Sequence, residues 1–110
     1  MANIVFNIAK GRVVEYYNRV KGNDPANAAL ILIPIETSGL EADATLIDVD
    51  TLTALIAGTT NEQTTMGRKT LTDAELAALP APDLTNDRYD ISLPNVTWTA
   101  ATGNAISKIL

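Results

Sequence analysis

Apolar residues recur near the start of the chain at the spacing of an amphipathic helix. In residues 9–21 the apolar positions 9, 13, 16, 17 and 20 follow one another at intervals of three or four, which is the spacing of one helical face. The β-branched pair at 13 and 14 leaves a strand that ends near Tyr17 as the alternative. The turn residues at 22–25 end the element. We expect Tyr16 and Tyr17 to divide into one exposed ring, able to anchor an interface, and one core ring.

A continuous apolar run follows at residues 28–35 and predicts a short strand that is buried on both faces. Pro34 has no N–H to donate, so the strand ends there or lies at an edge. Residues 40–57 then predict a helix, because apolar positions 46, 49, 52 and 56 share one stripe. Asp48 and Asp50 suit the first turn of that helix, and Gly58 its C′ position.

The second half of the chain combines a polar loop with short strand patterns. Residues 58–67 lack periodicity and form a loop of a length that often makes contacts. A strand is predicted at 68–71, and a capping box at Thr72 and Glu75 predicts a helix through Leu79. Alternating residues predict strands at 89–93 and 96–100.

Residues 105–110 predict a last strand, which we expect to pair within the domain, to dock on a partner or to continue in a longer natural chain. The whole pattern predicts an α+β fold: a small single domain over residues 1–110 with about four or five short strands and two or three short helices.

Composition removes most catalytic and metal chemistry. The 110 residues include no Cys and no His, which excludes zinc ribbons, thiol nucleophiles and the usual general base. Phosphate-binding glycine motifs are absent as well. We therefore predict a non-enzymatic protein with no catalytic residue, no metal and no cofactor.

Three groups of side chains have a chemical and a bland interpretation. The acids at 41, 43, 48 and 50 offer oxygens for Ca²⁺ or Mg²⁺, but they lack the EF-hand spacing, which favours a solvated helix start. Asp87, Arg88 and Asp90 are interpreted as a surface salt bridge at a turn rather than as an acid pair. Tyr89 and Trp98 are interpreted as core residues rather than as a stacking surface.

Charge is unevenly distributed along the chain. The net charge is −5; residues 1–21 carry +3 and residues 22–67 carry −7. A negative chain argues against a nucleic-acid partner. The absence of an apolar run of about 20 residues argues against a membrane partner, and the N-terminus does not have the pattern of a signal peptide. We expect the opposite charges to meet within or between subunits.

A set of segments that covers most of the chain occurs in a recognisable order. The segments are residues 7–12, 17–20, 23–27, 38–46, 50–52, 68–69, 71–83, 85–88 and 97–100. In this order they resemble a family of small virion-associated proteins encoded in the structural gene region of tailed bacteriophages. Relatives commonly continue beyond the position of Leu110 with further strands, and in this respect the chain departs from the family pattern.

The resemblance implies a structural protein of the virion, made in the host cytoplasm and assembled into the particle. It favours a head decoration (cement) or minor capsid protein, with the major capsid protein or other virion proteins as partners and a homo-oligomeric or symmetric assembly. The alternatives are a tail, fibre or head-tail junction component, and a soluble phage-encoded binding module that is absent from the mature particle. The resemblance supplies no catalytic or binding residues.

We expect the interface to use the basic start of the chain, the polar loop and the last strand. The candidate interface residues are Lys10, Arg12, Tyr16, Arg19, Thr59, Thr60, Met66, Ile106, Ile109 and Leu110.

Overall fold

Helices and strands are short and mixed along residues 4–110, which are the residues that the computed structural model describes. After a 3₁₀ turn at Asn7–Ala9, the elements in chain order are α1 (Val13–Lys21), β1 (Leu30–Leu32), β2 (Pro34–Glu36), α2 (Asp43–Leu46), α3 (Leu52–Ala57), β3 (Lys69–Leu71) and β4 (Ile106–Ile109). The strands form two two-stranded sheets, β1 with β3 and β2 with β4. This arrangement confirms the predicted α+β class.

The chain forms two compact units. The first unit contains the residues up to Gly11, Ile31–Lys69 and Trp98–Leu110. The second unit contains Arg12–Leu30 and Thr70–Thr97.

Strand β2 is the central strand of the first unit. On one side it pairs antiparallel with β4, and the register shifts between Ile35 and Glu36. On its other side the Glu36 N–H donates to the Asn61 carbonyl at 2.9 Å, and the Gln63 N–H donates to the Pro34 carbonyl at 2.9 Å. The prediction for Pro34 is confirmed in its first form, because β1 ends at Leu32 and Pro34 begins a new strand, β2. Pro34 lacks a donor, but its carbonyl still serves the ladder.

The predicted strand 28–35 is divided between β1 and β2. The division falls at Ile33, directly before the proline, and Ile33 exchanges both backbone hydrogen bonds with Leu110, at 2.8 and 3.0 Å. The last residues of the chain thus pair within the first unit, which is the first of the three alternatives predicted for them.

The predicted helix 40–57 is also divided, into α2 and α3. Thr51 has an extended backbone, and its Oγ1 accepts from the Ala54 N–H at 3.1 Å, so it begins a new helix by capping. Leu46 of α2 and Leu55 of α3 are still buried together against Ile33 and Ile35. Gly58 has a φ of −83°, and so it is not the left-handed C′ residue that was predicted.

Helix α1 organises the second unit. Its Tyr17 is 3% exposed and its Tyr16 37% exposed, which confirms the predicted division of the two rings. The Tyr17 hydroxyl lies 2.8 Å from the Ala77 carbonyl and 3.1 Å from the Ser92 carbonyl. It therefore holds two distant parts of the second unit against the helix.

The helix predicted from the capping box does not form. The Glu75 carboxylate accepts from the Thr72 N–H and hydroxyl, both at 2.6 Å, yet residues 73–75 adopt only turns. Pro80, which cannot continue a helix, ends the segment a few residues after the box.

The strands predicted at 89–93 and 96–100 are absent too. Alternation alone does not supply a neighbouring strand, and a strand needs one.

Candidate functional site

An apolar groove is the most distinctive surface of the first unit. It encloses about 260 Å³, somewhat less than the roughly 300 Å³ at which pockets for drug-sized ligands begin. The apolar side chains that matter most for its shape are Phe6, Ile8, Ile31, Val49, Leu52 and Leu110. A space of this size and lining suits one or two apolar side chains of another protein.

Hydrogen bonds fix the N-terminal wall of the groove. The Asn7 N–H donates to the Ile47 carbonyl at 2.8 Å, and the Asn7 side-chain amide donates to the Asp48 carboxylate. These bonds tie the 3₁₀ turn to the connection between α2 and α3. Phe6 and Ile8 on either side of Asn7 consequently face the groove that Val49 and Leu52 line.

The groove is open to solvent at two of its isoleucines. Ile8 is 52% exposed and Ile31 48% exposed, although both line the groove. Exposed apolar surface of this kind marks protein-binding sites when it is contiguous.

One carboxylate lies at the mouth of the groove. Asp50 lines it and is exposed, and among residues 4–110 the structure shows no ion pair or side-chain hydrogen bond for Asp50. The neighbouring Asp48 is engaged by Asn7. The groove therefore combines apolar walls with an uncompensated negative charge, and this arrangement favours a partner surface that is apolar and basic.

The predicted interface residues of the basic start and the last strand lie at the surface. Lys10, Arg12 and Arg19 are exposed, and Arg19 lies 4.0 Å from Glu15. Ile106 and Ile109 are 39% and 42% exposed. Of the ten predicted residues, Leu110 alone lines the groove.

The predicted loop residues are engaged within the first unit. The Thr59 hydroxyl donates to the Gly39 carbonyl at 2.7 Å. Thr60 is 1% exposed, and its hydroxyl bonds both the carboxylate and the N–H of Glu41, at 2.9 and 3.2 Å. Met66 is half-buried. The loop that was expected to make contacts is thus largely occupied with its own structure.

The same loop is held by three further side chains. Gln63 is 2% exposed, and its amide donates to the Asn104 carbonyl at 2.8 Å while accepting from the Thr65 N–H at 2.9 Å. Arg68 forms a two-pronged pair with Glu62, with both N–O distances at 2.7 Å. These hydrogen bonds lower the pKa of Glu62 below its ordinary value.

Trp98 is half-buried and donates from its indole N–H to the Gly67 carbonyl at 2.9 Å. Tyr89, by contrast, is 40% exposed, so its interpretation as a core residue was wrong. The ion pair predicted at the turn is confirmed in part. Arg88 lies 3.2 Å from Asp90, and its other partner is Asp83, at 3.4 Å, rather than Asp87.

The acids of the 41–50 segment are separately engaged. Asp43 lies 3.1 Å from the Lys108 ammonium, while Glu41 and Asp48 bond Thr60 and Asn7 as described above. Within residues 4–110 no group of three or more acidic side chains is arranged to hold a metal ion. In the same part of the chain, no helix has the length and apolar character needed to cross a bilayer.

The groove residues outside the last strand were missed from the sequence. Ile4, Phe6 and Ile8 are apolar at every second position, and this spacing is a signal that one face of the segment is buried. The structure packs Ile4 and Phe6 against the core.

Comparison of the chain with models of protein families, with curated proteins and with solved structures finds no match in any of the three. The fold and the groove define an α+β protein with an open apolar surface and an acidic mouth, and its function is argued from that surface.

Proposed function

We propose that the chain is a non-enzymatic structural protein of a tailed bacteriophage particle, a head decoration (cement) or minor capsid protein that binds its neighbours through the apolar groove. The observation that carries the proposal is the groove itself. Ile8 and Ile31 remain half exposed beside a space of about 260 Å³, and such a surface gains free energy when a partner protein covers it.

The size of that gain suits a particle with many identical sites. Full burial of an isoleucine contributes roughly 1.5–3 kcal/mol, so covering two half-exposed isoleucines contributes about 2 kcal/mol in total. One groove is therefore a weak anchor. A lattice that presents many copies at fixed spacing turns weak contacts into stable attachment, because linked binding events reinforce one another.

The order of segments along the chain also supports the proposal, since it resembles that of small virion-associated phage proteins. The uneven charge supports it as well. A basic start and an acidic middle provide complementary surfaces of the kind that align subunits in an assembly.

Quantitative mass spectrometry of purified particles tests the proposal. We expect a fixed stoichiometry with the major capsid protein, near one copy or a simple fraction of it. A ratio of a few per cent would instead favour a tail, fibre or head-tail junction component. Absence of the chain from the particle would overturn the proposal and favour a soluble phage-encoded binding module.

A matched pair of variants tests the role of the groove in particles. Ile8→Asp places a charge in the groove wall, whereas Val5→Asp places the same charge at a neighbouring residue that is 51% exposed and outside the groove lining. We expect the first variant to lower the copy number per particle and the second to leave it unchanged. Equal occupancy of the two variants would remove the groove from the proposal.

A further inference from the structure

One face of helix α1 combines exposed apolar side chains with positive charge, which complements the apolar walls and the carboxylate of the groove. Val13 is 50% exposed and Tyr16 37% exposed, and exposed arginines lie beside them at positions 12 and 19. Positions 12, 16 and 19 follow the i, i+4, i+7 spacing of one helical stripe, and position 13 is adjacent. We call these four residues the α1 face.

We infer that the groove of one copy receives the α1 face of a second copy, so that the chain associates with itself by helix-in-groove docking. This inference rests on the proposed function, because it names one of the neighbours that the groove binds in the assembly.

The volume of the groove fits this occupant. A cavity of about 150 Å³ with apolar walls holds a benzene molecule, so a groove of about 260 Å³ has room for the Tyr16 ring and the branched side chain of Val13 beside it.

Charge favours the α1 face over Leu84, which is the most exposed large apolar side chain within residues 4–110. Leu84 is 85% exposed, but it lies in the 83–90 loop, which carries three aspartates and one arginine. That loop has the same sign of charge as Asp50 at the groove mouth and is repelled by it. The α1 face offers Arg12 to the same carboxylate, together with Arg19, whose charge is partly compensated by Glu15 at 4.0 Å.

The geometry of such a contact determines the kind of assembly. The α1 face and the groove are different surfaces, so the contact is heterologous, and it generates closed rings or open chains rather than a two-fold dimer. Either product is compatible with a repeating position on a particle.

Sedimentation velocity on the purified chain at low ionic strength tests the inference. We expect oligomers to grow with concentration, and Tyr16→Asp to weaken association at least about tenfold, because a charge then enters an apolar site. Leu84→Ser is the matched control, since it removes the most exposed leucine outside the contact. We expect it to change association less than about twofold. Circular dichroism and the melting temperature show that each variant is folded.

A charge exchange makes the test specific for the two surfaces. Arg12→Asp and Asp50→Arg should each weaken association about three- to tenfold, and the double variant should recover most of the loss because the opposite charges meet again. A chain that stays monomeric up to about millimolar concentration would overturn the inference. A double variant no better than either single variant, or a Leu84→Ser loss equal to that of Tyr16→Asp, would do the same.

The outcome is separable from that of the proposed function. A monomeric chain that is nevertheless found in particles at fixed stoichiometry would overturn self-association and leave the virion role standing. A self-associating chain that is absent from particles would do the reverse.

Discussion

Three glycines with nearly the same backbone allow steric crowding to be measured apart from backbone strain. Gly11, Gly39 and Gly67 have φ values of 77°, 77° and 74°. A Cβ at Gly39 would lie 2.2 Å from the carbonyl oxygen of Thr59 and 2.8 Å from the side-chain nitrogen of Asn61, whereas a Cβ at Gly11 or Gly67 would meet no atom within 4 Å. Alanine therefore has the same left-handed backbone cost at all three sites and a collision at only one of them.

The expected losses follow from these distances. A left-handed alanine costs about 1–2 kcal/mol, partly offset by the reduced entropy of the unfolded chain, so Gly11→Ala and Gly67→Ala should lower the free energy of unfolding by about 1 kcal/mol each. Gly39→Ala must also displace the backbone of Thr59. The side-chain hydroxyl of Thr59 donates to the Gly39 carbonyl at 2.7 Å, and this bond is lost with the displacement. Overpacking adds about 1–3 kcal/mol and a lost hydrogen bond about 1 kcal/mol, for a loss of about 3–5 kcal/mol.

Guanidinium unfolding followed by circular dichroism measures all three losses on the same scale, with the slope of the transition as the check that each variant unfolds in the same manner. Equal losses at the three glycines would show that the approach of the 37–41 and 58–63 segments is not as close as the structure has it, and the reasoning would fail.

Two further predictions concern single side chains. Tyr17→Phe should lower the free energy of unfolding by about 1 kcal/mol, because the part-buried hydroxyl that bonds the Ala77 and Ser92 carbonyls is lost. Tyr16→Phe is the control, which should lower it by less than about 0.5 kcal/mol at an exposed site. Equal losses in thermal or denaturant unfolding would contradict the assignment of the core ring. Hydrogen bonds from Arg68 hold the pKa of Glu62 below its ordinary value of 4.5, so the carboxylate stabilises the folded chain above that pH and loses its contribution as the pH falls through the folded-state pKa. The difference in stability between the wild type and Glu62→Gln should therefore shrink on acidification. A difference that does not vary between pH 7 and 3 would contradict this prediction.

The elements that the sequence predicts well are those whose signal is local. The amphipathic spacing of 9–21 gives α1, and it also separates the buried Tyr17 from the exposed Tyr16, because both follow from the position of a residue around one helix. The strand patterns at 68–71 and 105–110 yield β3 and β4. The two strands nevertheless form only by pairing, β3 with β1 and β4 with β2.

The errors at the element boundaries have different causes. The 28–35 run is divided because β1 pairs with β3 whereas β2 pairs with β4. The 40–57 stripe is divided by a local bond, in which the Thr51 hydroxyl accepts from the Ala54 N–H and begins a new helix. The capping box at Thr72 forms its side-chain bonds without a helix.

The groove shows why the candidate site was harder to predict than the fold class. Its walls come from the N-terminal segment, the end of β1, the start of α3 and Leu110, so its lining is assembled only when the first unit folds. A core substitution such as one at Leu55 would alter the groove wall and destabilise the unit at the same time, so it would not distinguish a loss of binding from a loss of stability. Substitutions at the exposed wall can make that distinction, because Ile8 already has half its surface in water and its loss changes what the groove presents while leaving the buried core in place.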